Sequence, residues 1–406
     1  MTTERMLRAA APSALAILVR RTGDFEGSED AMQEALLAAS VQWADDPPTN
    51  PRAWLVTVAH RRYVEQVRSE VARRSREARA VELEPGGDAA AAASDDSLTL
   101  LMLCAHPAVS RPSQVALVLR AVGGLTTAEI ARAMFLPEST VGQRISRAKA
   151  RIRDAGATFS LPGRADLGDR VATVCTVLSV IFTEGHTATA GESLVRVDLS
   201  AEAIRLARML QDATSADAPW RAEVDALLAL MLLTEARRPA RLTPDGVLVP
   251  LDEQDRSLWR RDLIDEGVAL VTGALSSGGR PGPFQLQAAI AAVHDEAGST
   301  DATDWAEILG LYELLRRIGP GPMVELGWVV ALAMVHGEER ALAELETVAL
   351  EPALAGHFRV FAVRGHLLER AGREAEARDA FAAAATRALN AAERRYLEGK
   401  ATGPGR

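Results

Sequence analysis

Cysteine is nearly missing from this chain. Cys104 and Cys175 are the only two in 406 residues, too few for a disulfide framework, and no CxxC pair or histidine cluster accompanies them. Both are read as buried free thiols, because cysteine is among the most often buried side chains, and a reduced compartment follows. Aromatic residues are scarce at 4%, so the cores have to be built from small aliphatic side chains. Runs of β-branched residues alternating with period two are nearly absent, which argues against sheets and for an all-α protein. No apolar run approaches the ~20 residues of a membrane span. Near the N-terminus, Leu15 to Val19 is too short for a signal-peptide core and is followed by Arg20-Arg21. A cytoplasmic protein without membrane contact is expected. Positive charge is not in excess either. The formal net charge is -9, which excludes a polyanion-coating protein, so any contact with nucleic acid must come from local patches or be held in place by a partner.

The marks of an enzyme are missing as well. No nucleophile–base pair is legible. Gly278-Gly279-Arg280-Pro281 lacks the Lys-Ser/Thr of a phosphate-cradling loop. His294-Asp295-Glu296 has no second ligand pair at helical spacing, and a metal site needs three or four donors; the triplet is read as a solvated helix end. No catalysis, cofactor or metal is expected.

What is present is concentrated in Leu125 to Arg153, LTTAEIARAMFLPESTVGQRISRAKARIR. Thr126 or Thr127 can cap a first helix, with Glu129 placed for a capping box. Ile130, Ala131 and Met134 give it an apolar side. Pro137 makes continuing that helix unfavourable, and Ser139 or Thr140 can cap a second. Val141, Ile145, Ala148 and Ile152 recur at helical spacing as a buried stripe. Gln143, Arg144, Arg147, Lys149, Arg151 and Arg153 lie mainly off it, and no acid occurs from Ser139 to Arg153. A helix of this kind can enter the major groove, reading base edges near its start and touching phosphate further on.

Upstream, Gly23-Asp24-Phe25-Glu26 opens a helix through Trp43 whose exposed side carries Glu26, Glu29, Asp30 and Glu34. A second helix runs from Arg52 to Arg79, with Trp54, Leu55, Val58, Val64 and Val67 apolar and Arg61, Arg62, Arg68, Arg73, Arg74, Arg76 and Arg79 making it basic. Glu84 to Ser97, EPGGDAAAAASDDS, is a linker by composition. Helices resume at Leu98, and a further boundary falls at Ser160-Leu161-Pro162-Gly163. The remainder reads as successive helices separated by Gly/Pro turns. Its clearest hairpin joins Gly365-His366-Leu367-Leu368 to Ala375, Ala377, Ala380 and Phe381; Asn390 begins a terminal helix. Asp245-Gly246 is a turn signal. Asp255, Arg256, Trp259 and Arg260, beside Gln254, are read as sharing one helix, either as a ligand-reading patch or as an internal ion pair around a packed Trp. Trp305 and Tyr312 share a helix face in the core.

The order of these features resembles the extracytoplasmic-function branch of the bacterial sigma-70 family. GDFEGSEDAMQEAL, NPRAWLVTVAHRR and LPESTVGQRISRAKARIRDAG are similar to its domains two and four. GESLVRVDLSAEAIRLARML and DGVLVPLDEQDRSLWRRDLI resemble a subgroup with a tetratricopeptide-like C-terminal extension. The resemblance implies domain two at 1–79, a flexible linker at 80–97, domain four at 98–158 and the extension at 159–406. It implies a protein that binds core RNA polymerase and directs it to promoters. Domain two would dock on the β′ clamp helices through Glu29, Asp30, Gln33 and Glu34. Arg52, Trp54, Arg61, Arg62, Glu65 and Arg68 would face the -10 element, Trp54 either stacking on an unpaired base or packing in the core. Domain four would sit at the β flap and read the -35 element with Ser139, Thr140, Gln143, Arg144 and Arg147, while Lys149 and Arg151 touch phosphate. Asp245, Gly246, Gln254, Asp255, Arg256 and Trp259 mark the extension, which would help activity and offer a surface to a regulatory protein. The chain departs from the family pattern at one place. Where members usually carry an Asn and an Asp, it has Arg61 and Glu65; Glu65 keeps the charge, whereas Arg61 replaces a two-way hydrogen bonder with a donor-only cation. An operator-binding regulator with a helical sensor domain is the competing expectation, and such a protein usually dimerises over two half-sites.

Overall fold

The computed structural model describes residues 3–43, 47–75, 96–133, 136–160, 164–189 and 191–403. The expected linker through Asp95, the Arg76 and Arg79 end of the basic helix, Met134, and Leu161 to Gly163 lie outside the described residues. Among the described residues the protein has eighteen α-helices and no strand, so the all-α expectation holds. No described helix is long and apolar enough to cross a membrane. The chain divides into two compact units, Met1–Ile181 with Ala201–Met209, and Phe182–Ser200 with Leu210–Arg406.

The first unit begins with three mutually packed helices, α1 (Thr3–Thr22), α2 (Phe25–Gln42) and α3 (Pro51–Ser75). Gly23 ends α1 in the left-handed region (φ 67), and its N–H donates to the Val19 carbonyl at 2.8 Å. Asp24 then caps α2 by accepting from the Gly27 N–H at 3.1 Å, satisfying a donor that the first turn leaves open. Leu15, Leu18 and Val19 of α1, Met32, Ala35 and Ala39 of α2, and Leu55 and Ala59 of α3 are buried, with Trp43 closing the end of the bundle. Each fully buried Leu here contributes roughly 2 kcal/mol.

Four helices follow: α4 (Ser97–Cys104), α5 (Arg111–Ala121), α6 (Thr127–Ala133) and α7 (Glu138–Asp154). The capping box forms on Thr126: its N–H and hydroxyl reach the Glu129 carboxylate at 2.8 and 2.9 Å, and its hydroxyl accepts from the Glu129 N–H at 3.2 Å. The second helix starts earlier than expected. Pro137 is its N-cap and no side chain caps it, so Ser139 and Thr140 already lie inside the first turn. Proline fits that boundary because its extended backbone hands over a preset φ and withholds no needed donor. Val141, Ile145, Ala148 and Ile152 are buried, and α7 packs on α5 and α6. The helix α8 (Arg164–His186) belongs to this unit through Ile181, as does the middle of α9 (Val197–Ala213).

In the second unit, α10 (Arg221–Ala236), α11 (Arg261–Ser276), α12 (Pro283–Glu296), α13 (Trp305–Ile318), α14 (Pro322–His336), α15 (Glu338–Val348), α16 (Phe358–Arg370), α17 (Glu374–Ala385) and α18 (Ala391–Thr402) each pack mainly on their sequence neighbours. Gly365 shows why small residues sit at the crossings. A Cβ there would stand 2.7 Å from the Phe381 ring, so glycine is what lets α16 and α17 close. Trp305 and Tyr312 pack against the core of the middle helices. Two expectations change here. His294-Asp295-Glu296 is not a solvated helix end: Asp295 is buried and ion-paired with Arg237, and His294 stands edge-on to Trp305 at 5.1 Å. Asp255 to Arg260 do not share a helix either; Arg256–Leu258 is a 3-10 turn, and α11 begins after Arg260.

Candidate nucleic-acid and protein interfaces

On α7, Ser139, Gln143, Arg147 and Arg151 recur every four residues and are exposed, with Thr140 and Arg144 half-buried beside them. Among the described residues, none pairs with the side chains of Gln143, Arg144, Arg147 or Arg151. The buried stripe holds the opposite side against α5 and α6, so this ridge projects outward from a fixed support. Such a ridge carries the donors and the amide that major-groove edges accept.

Along α3, Arg52, Arg61 and Arg68 are exposed. Arg61 and Arg62 both reach Glu65, at 3.1 and 3.4 Å. The two positions that depart from the family pattern, Arg61 and Glu65, therefore neutralise each other on the surface at i,i+4, a pairing of modest strength. Trp54 is half-buried and stands edge-on to the buried Trp43 at 5.3 Å, so packing accounts for a large part of its ring.

The acidic side of α2 is only partly open: Glu29 is covered, whereas Asp30 and Glu34 keep about half of their side chains exposed. The Glu29 side chain is 5% exposed; its carboxylate accepts from Lys149 Nζ at 2.9 Å and from Gln33 Nε2 at 3.0 Å, and Arg120 of α5 lies 3.4 Å away. The same Lys149 ammonium reaches Asp30 at 2.8 Å, and Arg153 pairs with Glu26. Burial pulls the Lys149 ammonium down, but Glu29 and Asp30 outweigh it and leave it above its ordinary value. Glu34 faces the other way, toward Gln66 at 3.0 Å and Arg62 at 3.8 Å. Residues expected to serve phosphate and polymerase separately are thus brought together. Arg120, Arg153 and Glu26 were not singled out for this contact; the available signal was charge complementarity between the acid-free stretch Ser139 to Arg153 and the acid-rich α2. Beside it, burial and Glu29 push the Cys104 thiol far up, so it is an unreactive core residue.

In the second unit, Asp245 and Gly246 form a turn, Gly246 at φ 76 with its N–H on the Thr243 carbonyl at 2.9 Å. Gln254 accepts from Trp259 Nε1 at 3.2 Å and donates to the Val249 carbonyl at 3.1 Å. Asp255 caps the 3-10 turn through Ser257. Arg256 donates to the His294 and Ala297 carbonyls at 2.7 and 2.6 Å and lies 4.7 Å from the Trp259 ring centroid. These contacts tie the segment before α11 to the end of α12, with Arg256 held by backbone carbonyls and not by a carboxylate.

Residues 6–73 match the model for Sigma-70 region 2, and residues 100–152 match that for Sigma-70, region 4. The ECF RNA polymerase sigma factor SigK of Mycobacterium tuberculosis is 32% identical over 145 residues, which cover 34% of this chain and 73% of that protein; SigK of Mycobacterium bovis matches equally. The chain belongs to the sigma-70 family. Region 2 of this family member spans α1 to α3, and region 4 spans α4 to most of α7. Residues 170–275 match a family of unknown function (DUF6596), which covers Asp245 to Trp259. An uncharacterized protein of Rhizobium meliloti is 40% identical over 405 residues, covering 96% of this chain and 93% of that protein. No solved structure matches.

Proposed function

We propose that this protein is a sigma factor of the extracytoplasmic-function type that binds core RNA polymerase and directs promoter-specific initiation in the cytoplasm. The observation that carries this reading is the pairing, in order, of regions 2 and 4 on two different surfaces: an acidic α2 followed by an α7 that holds no acid from Ser139 to Arg153 and carries an open ridge. On this reading, Ser139, Thr140, Gln143, Arg144 and Arg147 read the -35 element, and Lys149 and Arg151 position the backbone. The basic side of α3, with Arg52, Trp54, Arg61, Arg62, Glu65 and Arg68, faces the -10 element. Glu29, Asp30, Gln33 and Glu34 meet the β′ clamp helices, and region 4 sits at the β flap. The tetratricopeptide-like extension modulates activity. The full-length resemblance to the Rhizobium meliloti protein supports treating regions 2, 4 and extension as one working unit.

Run-off transcription tests the reading. Purified core polymerase, this protein and a genomic promoter library should give promoter-specific transcripts with no other sigma factor present. Tight binding to a palindromic site without any association with core polymerase would instead support an operator-binding regulator.

A further inference from the structure

The first and last segments of the second unit are tied together. Asn390, buried at the start of α18, donates to the Ala188 and Ser193 carbonyls at 2.9 and 3.1 Å, and the Ala391 N–H donates to the Gly191 carbonyl at 2.9 Å. The helices between are thus held at both ends, and a cleft of about 440 Å³ opens among α12, α13, α14, α16 and α18. Ile308, Val330, Ala333, Met334, Val363 and Leu367 make its apolar walls. The Tyr312 hydroxyl and the His294 ring also line it, and neither makes a hydrogen bond among the described residues. Gly327 gives the hydroxyl its place, since a Cβ there would collide with it. Burial raises the Tyr312 phenol; burial, then Arg237 and Arg256, keep the His294 imidazole uncharged. Buried polar groups nearly always find a partner, so these two, open toward a cleft, are matched by a ligand that supplies one. The mouth is no anion trap. Lys400 pairs with Glu369 at 3.1 Å and lies 3.9 Å from Glu253, Arg370 pairs with Glu338 at 3.0 Å, and Arg256 is held by backbone carbonyls. Asp252 adds an exposed carboxylate beside them.

We propose that this cleft binds a small uncharged molecule, an aromatic or branched apolar body that carries a hydrogen-bonding group for Tyr312 and His294. Its volume lies within the ~300–1,000 Å³ of small-molecule sites. Trp305 and Tyr312, seven apart on α13, share a face. The Trp305 indole is fixed by donating to the Thr300 carbonyl at 3.1 Å, and it holds the His294 ring edge-on at 5.1 Å. A phenol and a neutral imidazole each donate and accept, so a hydroxyl, a carbonyl or an amine N–H on the ligand is satisfied. A charged ligand is disfavoured, because its charge would enter apolar walls that offer no free counter-ion. An extended peptide fits poorly, since each residue brings an N–H and a carbonyl to those same walls. The site gives the extension a small-molecule input. It does not depend on the sigma-factor reading, because the binding concerns the second unit alone.

Titrating the full-length protein with N-phenylnaphthylamine tests this. The dye is uncharged, carries one N–H and brightens when it leaves water; anilinonaphthalene sulfonate is nearly the same molecule with a negative charge added. The uncharged dye should bind saturably, one to one, and the sulfonate about tenfold more weakly or worse. Val330→Trp, at a residue 38% exposed on the cleft wall, should fill the space and abolish the saturable signal while melting like wild type. Tyr312→Phe removes only the hydroxyl and should weaken the dye by about three- to tenfold, the worth of one hydrogen bond, without lowering the melting temperature. Absence of saturable binding overturns the proposal. So does a Val330→Trp protein that melts like wild type and binds the dye equally well. A sulfonate that binds as tightly as the uncharged dye refutes the ligand class. Unchanged affinity in Tyr312→Phe overturns the proposal as well, and decides alone if Val330→Trp does not fold.

Discussion

Arg144 and Lys149 sit five positions apart on one helix and face different surroundings. Arg144 is half-exposed beside Gln143, whereas Lys149 is buried against α2. Guanidinium recognition of a guanine edge discriminates between bases by about 1–3 kcal/mol. Arg144→Ala should therefore weaken some promoters far more than others in a -35 binding series, and an equal loss on every sequence would reassign it to the backbone. Glu34 lies on the surface, held by Gln66 and Arg62. Glu34→Lys should lower affinity in a core-polymerase titration, and unchanged affinity would remove that side of α2 from the interface. The identity of the ridge residues was legible because an amphipathic stretch with no acid from Ser139 to Arg153 announces its exposed positions. The burial of Lys149 was not legible. It lies one step from Ala148 of the apolar stripe, and only a neighbouring element decides whether such a border residue meets water.

Elements were legible where local chemistry sets their limits. Glu129 three residues after Thr126 produced the capping box, and Asp24 and Asn390 cap α2 and α18 as their side chains allow. The α16–α17 hairpin followed from a glycine opposite a phenylalanine. Gly365→Ala should overpack it against Phe381 and cost about 1–3 kcal/mol in denaturant melts; pairing it with Phe381→Leu should recover part of the loss. Elements were misread where a tertiary partner overrode sequence neighbours. His294 and Asp295 look like a polar helix end, yet Arg237 and Arg256 arrive from segments far away in sequence and bury them. Burial, then Arg237 and Arg256, lower the His294 imidazole to about 4. Its folded value lies below its unfolded one, so the neutral ring favours the fold at pH above ~6.5. That stability is lost as pH falls toward 4, at most about 1.4 kcal/mol per unit. Burial acts oppositely on neighbouring Asp295, whose carboxyl rises to about 6; its contribution is present at low pH and lost as pH rises through that value. The two slopes partly cancel in the wild type. Thermal melts of His294→Phe should consequently lose less stability than wild type between pH 6.5 and 4.5. An identical pH slope in both proteins would show that the ring does not titrate as placed.

At the scale of the whole molecule, the chain does not pass once from one unit to the other. The first unit takes α8 as far as Ile181 and then Ala201–Met209 from α9. Within it, the Arg170 guanidinium donates to the Met102 carbonyl at 2.6 Å, so α8 braces the end of α4. Composition could mark Ser160 to Gly163 as a break because Pro and Gly interrupt helices there. It could not reveal that later helices return to the same core, since long-range packing leaves no local signature. This connectivity makes two truncations differ. Ending the chain at Asp166 strips the first unit of α8 and of its share of α9, and should lower its melting temperature and abolish promoter-specific transcripts. Ending it after Thr214 keeps Ala201–Met209 and should leave a first unit that melts cooperatively. If the remaining helices supply a required arm, that longer fragment still gives weaker run-off transcription than the full chain, even though its recognition ridge is intact. Transcription above the full-length level would make α10 to α18 an inhibitor, because the only thing removed would then be a restraint on surfaces the fragment retains.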